Sequence, residues 1–175
     1  ISATASTGVD VQGTLRDVTI VTGNGITSSA LTLESGTDLA ERVYVHATAF
    51  DARACDMVGT LRDSVCWASG DGGNAIGVRV GAGTGNTLVG KLRNVTAIGS
   101  GASGRGLHAF AGGPSASATI QATNVIARGP GLGGFDAEAV ISGATTASIT
   151  LDHSNYSLTN EVNGGVVTDG GNNQS

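Results

Sequence analysis

Aromatic residues make up only 3% of this chain of 175, and charged residues 13%. So little charge excludes an extended disordered chain, which needs charge and polarity to stay solvated. Prolines number two against 29 glycines. The glycines show no triplet period, which excludes collagen. Many glycines with few prolines suit short strands broken by tight turns. No apolar run approaches the ~18 residues of a membrane span. No signal peptide opens the chain, so a mature chain or a segment of a longer one is expected. The two cysteines, Cys55 and Cys66, are too few for a disulfide scaffold and form no CxxC metal or redox motif. Basic residues are outnumbered nine to fourteen, for a net charge of −5. A nucleic-acid partner is not expected, because phosphate binding needs a basic face.

What the chain does have is a repeat. Gly90–Thr96 has close copies at Gly13–Thr19 and Gly59–Val65, and looser ones at Ala40–Val43, Ala122–Val125 and Leu151–Ser154. Aligned on one position, these read Asp17, Arg42, Asp63, Asn94, Asn124, His153, at steps of 25, 21, 31, 30 and 29. A unit recurring through the whole chain at such intervals marks a solenoid. Around each copy lie short segments of period-2 alternation, such as Ile76–Val80, Leu88–Leu92 and Val95–Ala97. No window carries a helical period. A doubly wound sheet would need helical crossovers. A sandwich accommodates short strands, but it does not explain why one turn recurs after every second strand. A parallel β-helix does, since each strand stacks on its counterpart one coil away. The expected fold is all-β: one right-handed parallel β-helix over residues 1–175, with about six three-strand coils and Val166-Val167 opening a seventh.

The columns agree with a packed interior. Two positions before the turn stand Leu15, Ala40, Leu61, Leu92, Ala122 and Leu151; four before stand Gly13, Asp38, Gly59, Gly90, Ile120 and Ile149. Gly with Leu in one coil answers Ile with Ala in another, roughly conserving volume. Asp38 breaks the pattern, so the second coil is expected to loop out there. Just before the turn, Arg16, Glu41, Arg62 and Arg93 face outward beside Asp17, Arg42 and Asp63. This reads as a solvated ionic ladder in which opposite charges meet across strands.

With these coils and the turns Arg16-Asp17, Arg62-Asp63 and Arg93-Asn94, the chain resembles the right-handed parallel β-helix repeat proteins of the pectate-lyase-like superfamily. The resemblance covers essentially the whole chain. It implies that Asp17, Asp63, Asn94 and Asn124 occupy the turn between second and third strands, where Asn tolerates the left-handed conformation. Asp152–Ser157 and Thr168–Asn173 resemble late coils of secreted bacterial members, in which further coils usually follow. The resemblance therefore implies a secreted or cell-surface protein, a segment of a longer chain, and a polysaccharide partner. It identifies architecture better than activity.

Catalytic signals are weak. A polysaccharide lyase of this kind needs an acidic calcium cluster with an Arg or Lys base, yet Asp56 and Asp71 stand apart. A glycosidase needs two carboxylates at a defined separation, and Thr168-Asp169-Gly170 supplies at most a fragment of such a motif. His46, His108 and His153 share no metal-site spacing and read as surface or turn histidines. Ser69–Asn74 offers one carboxylate and reads as a plain turn, not a calcium loop. Gly99–Gly106 precedes no helix, so it is not a phosphate loop. Trp67 points outward by alternation and could stack on a sugar, though one aromatic is a weak platform. The expectation is a non-catalytic, carbohydrate-facing repeat domain without cofactor or metal. The alternatives are a lyase or glycoside hydrolase with atypical residues and, from another class, an ice-binding solenoid. Cys66 falls in the inward column with Ile20, Val45, Ala97 and Ala127, whereas the register of Cys55 stays open. A bridge and two buried thiols both remain, and a secreted origin favours the bridge.

Overall fold

Each alternating segment is a strand, and the chain turns a corner wherever alternation breaks. The computed structural model describes residues 8–70, 73–143 and 146–175, and of residues 24–28 the backbone alone. Its strands are β1 (Val9–Val11), β2 (Thr14–Arg16), β3 (Thr19–Leu33), β4 (Leu39–Glu41), β5 (Tyr44–Met57), β6 (Gly59–Ser69) and β7 (Ile76–Ala82). They continue as β8 (Thr87–Ser100), β9 (Arg105–Gly112), β10 (Ser117–Arg128), β11 (Phe135–Ser142), β12 (Thr146–Asp152), β13 (Thr159–Val162) and β14 (Val166–Gly171). All strand pairings are parallel, and the described residues contain no helix.

The pairings sort into three walls of seven rungs. Wall 1 stacks β1, the ends of β3 and β5, then β7, β9, β11 and β13. Wall 2 stacks β2, β4, the starts of β6, β8 and β10, then β12 and β14. Wall 3 stacks the starts of β3 and β5, the ends of β6, β8 and β10, then bridges through Asn155 and Gln174. The fold is a parallel β-helix. The polar tail is not loose: β14 and Gln174 form its seventh rung.

The corner from wall 2 to wall 3 is a single residue in the left-handed region. Asp17, Arg42, Asp63, Asn94, Asn124 and His153 have φ of 54°, 51°, 52°, 54°, 55° and 47°, and Asn172 follows at 56°. One such residue turns the chain sharply enough to join two strands without a loop. Asn suits it because its short amide pairs locally. Asn94 donates to Asp63 Oδ1 at 2.6 Å, and Asn124 donates to Asn94 Oδ1 at 2.7 Å, so the side chains stack as the backbone does. The connections at the other two corners differ in length, from Val58 alone between β5 and β6 to residues 34–38 between β3 and β4, which explains the irregular steps of the repeat.

Inward columns from the three walls meet in one apolar core. Volume is balanced across walls as well as within them. A Cβ on Gly90 would lie 2.6 Å from Val80 Cγ2 of wall 1. Two rungs later, Ile149 and Leu151 are both fully buried in wall 2, where wall 1 offers the small Ala137 and Ala139 before Ile141. Cys55 of wall 1 and Cys66 of wall 3 are joined by a disulfide across this core, with Cα atoms 6.0 Å apart.

Asp38 departs from expectation. It does not loop out but is 3% exposed, and its carboxylate accepts backbone N–H bonds from Gly13 at 2.7 Å, Ser35 at 2.8 Å and Glu34 at 3.1 Å. The residues that bulge are Ser35–Thr37, and Asp38 anchors them. The bond from Gly13, followed by those from Ser35 and Glu34, holds its carboxyl below the usual range against the cost of burial. Glu41 also departs from a solvated ladder. It is 8% exposed and takes Arg16 at 2.9 Å, Arg62 at 3.0 Å and Arg42.

Candidate functional site

The outer face of wall 1 carries a column set by strand register: Asp56, Arg79, His108, Glu138, Asn160. Alternation turns these outward because their neighbours Cys55, Val78, Leu107 and Ala137 face the core. Two glycines let long side chains lie flat on the wall. A Cβ on Gly81 would meet the Arg79 guanidinium at 2.4 Å, and one on Gly112 would meet the Phe110 ring at 2.8 Å. The Arg79 guanidinium lies 5.7 Å from the Phe110 ring centroid, within cation–π reach.

Side chains of neighbouring strand positions, with Asn74 of one loop, raise the sides of this strip into a cleft of about 490 Å³. One lip is polar: Asp51 and Arg53 of β5, Asn74 of the loop between β6 and β7, and Arg105 at the start of β9. The other is apolar: Phe110 of β9, Val140 of β11 and Val162 of β13. Ile76, Arg79, His108 and Glu138 complete the lining. Arg105 is tied down by Glu138, by Asn74 Oδ1 at 2.8 Å and by Ser103 O at 2.8 Å. Glu138 accepts a further bond from Asn160 at 2.8 Å. Arg79 donates to Asp56 at 2.9 Å, and Asp51 accepts from the backbone N–H of Asn74 at 3.0 Å.

His108 sits among these charges with Nε2 3.6 Å from Glu138 Oε2. Burial, then the Arg105, Arg79 and Arg53 guanidiniums, push its pKa down to about 3. The imidazole is neutral at ordinary pH, and its buried Nδ1 has no partner among the described residues. An unpaired buried nitrogen costs free energy, so the site holds His108 against a penalty.

The charged residues of this cleft are the ones sequence reasoning missed. His108 is not the surface histidine expected from its lone position. Asp56, apart from other carboxylates, is clamped between Arg79 and Arg53. The available signal was the column itself: Asp56, Arg79, His108 and Glu138 each follow an inward residue at one strand position. Asp71 lies outside the described residues, so the Ser69–Asn74 loop is seen only in part. The described residues hold no cluster of three or more metal-ligating side chains. Trp67 is no free platform, since His46 stacks on one face at 4.2 Å and its indole N–H donates to Ser100. His153 lies in the turn column, with Nδ1 2.8 Å from Asp152 Oδ1. Compared with protein-family models, curated proteins and solved structures, the chain matches none of them.

Proposed function

We propose that this chain is a non-catalytic β-helix domain of a secreted or cell-surface protein, with the wall 1 cleft facing carbohydrate. The observation that carries the reading is the two-sided cleft. Sugars present hydroxyls on their edges and apolar C–H faces, and a polar lip opposite Phe110, Val140 and Val162 matches both. The three-strand coils and one-residue turn support a place near the pectate-lyase-like proteins of secreted bacterial type. The disulfide between Cys55 and Cys66 supports an oxidising compartment.

Binding fits the cleft better than catalysis. Glu138, Asp56 and Asp51 are each held by donors from the protein itself. A general base works best with a pKa near the operating pH, and His108 at about 3 lies far from it. The ice-binding alternative draws less support, because the outer column of wall 2 interrupts its threonines with Leu39, Lys91 and Gln121. The test is a panel of soluble polysaccharides, read for binding and for released reducing or unsaturated ends. Binding without release is expected. Release of ends would replace this reading with an enzyme, and absence of all binding would remove the carbohydrate.

A further inference from the structure

Seven large apolar side chains stand exposed among the described residues. Val21, Tyr44 and Ile126 lie on the outer face of wall 3, and Phe50, Leu132 and Leu158 at its corner with wall 1. Only Val166, on wall 2, lies elsewhere. Strand register continues Val21 into a column with His46, Trp67 and Ile98, and joins Tyr44 to Ile126 through Val65 and Thr96. His46 and Trp67 stack along their column with ring centroids 4.2 Å apart. Single apolar residues on a surface are ordinary, but a contiguous patch of a few hundred Å² marks an interaction site.

Charge narrows what covers it. Among the described residues no Asp or Glu stands at an outward position of wall 3, in a chain that has 14. The one arginine there, Arg128, donates to the carbonyls of Ala127 at 2.6 Å and Asn155 at 3.0 Å, with Asp136 at 3.7 Å. Burial lowers the pKa of His46, which favours its neutral form. Walls 1 and 2 both carry outward carboxylates, Asp56 and Glu138 on one and Glu41 on the other. Two copies of this acidic chain can therefore meet on wall 3 without burying an unpaired charge or facing carboxylate with carboxylate.

We infer that wall 3 is the interface of a homodimer. Its two-fold axis stands normal to the wall near Trp67, so the first rung of each copy meets the fifth of the other. Five rungs about 4.8 Å apart, with outward positions about 7 Å apart along each strand, offer roughly 400 Å² per copy. Phe50 at the corner brings the two-copy total to about 1,000 Å², the low end of specific interfaces, so the dimer is weak.

Sedimentation equilibrium of the intact chain from about 5 to about 500 µM tests this, together with the fluorescence of Trp67, the single tryptophan. A monomer–dimer equilibrium is expected, and acrylamide quenching of Trp67 should fall as the dimer forms. Ile98→Glu and Ile126→Glu should each weaken association about tenfold or more, since each buries a carboxylate without a partner. Val166→Glu, the same change on wall 2, should leave association unaltered, with the circular dichroism spectrum unchanged in all three. A chain that stays monomeric throughout would overturn the inference. So would a dimer that survives either wall 3 change at full strength, or one that leaves Trp67 quenching unchanged, because its interface would lie on another face. Binding of the monomer to phosphatidylcholine vesicles, lost in Ile98→Glu, would overturn the second copy and give the face to a lipid surface.

Discussion

At the corner between walls 2 and 3, the charged pair Asp17 and Arg42 stands on a convex edge, with side chains 65% and 50% exposed. On wall 1, Glu138 and Arg105 stand in a concave cleft, 4% and 17% exposed. Both pairs join opposite charges one rung apart, Arg105 reaching Glu138 from three positions before His108, the residue in register with it. The surroundings separate them. Water on the convex edge screens the first pair, and each partner could be solvated alone. In the cleft, neighbouring side chains displace water, and each partner depends on the other. Stacking is thus cheap for the fold to produce, and curvature of the wall decides whether it becomes chemistry.

The sharpest way to break this comparison is to delete one partner from each pair. Glu138→Ala should cost about 3 kcal/mol or more, because it leaves Arg105 as a largely buried charge without its counter-ion. Asp17→Asn, which removes the charge but keeps a residue that tolerates φ near 54°, should leave the urea midpoint unchanged within error, as for most exposed pairs. The double change Arg105→Met with Glu138→Leu should recover much of the loss. Equal costs for the two single changes would show that the walls do not differ in this way.

The two regions also differ in how well the sequence shows them. The corner is legible because backbone geometry dictates it: a lone left-handed residue between two strands leaves Asp17, Asp63, Asn94 and Asn124 in near-identical local contexts. The stacked core columns are legible for the same reason. The cleft is not, because its members come from five coils separated by loops of unequal length. Arg53 and Asn74 even lie outside the regular column. Chemistry that depends on which rungs come together and on side-chain tilt leaves no local signature. Asp38 shows the converse: a polar residue in a core column reads as a break, although backbone N–H groups satisfy it in place.

A finer test addresses the corner itself. Asn94→Val should cost roughly 1 kcal/mol or more, because a β-branched side chain resists φ near +54°. Asn94→Gly should cost less, since glycine accepts that conformation and forfeits only the amide ladder to Asp63 and Asn124. Polysaccharide binding in the wall 1 cleft should be untouched by either change. If valine and glycine were equally harmful, the ladder rather than the backbone would hold the corner.

The smallest expected effect reads the cleft through pH. His108 has a folded pKa near 3, lowered first by burial and then by Arg105, Arg79 and Arg53, while Glu138 lies 3.6 Å away. In the unfolded chain it returns to the ordinary value of about 6.5. Between those values the unfolded chain binds a proton that the folded chain refuses. Its contribution is therefore full above about pH 6.5 and is lost progressively as pH falls toward 3. From pH 7 to pH 6 the loss should be somewhat under about 1 kcal/mol. Carboxylates with ordinary pKa values do not titrate in that interval, although His46, also lowered by burial, contributes with the same sign. Urea unfolding of wild type and His108→Gln at both pH values isolates the His108 share. The variant should lose less stability over the interval. Identical losses would mean that His108 is not held neutral by the cleft, and that its charged neighbours are better hydrated than their burial implies.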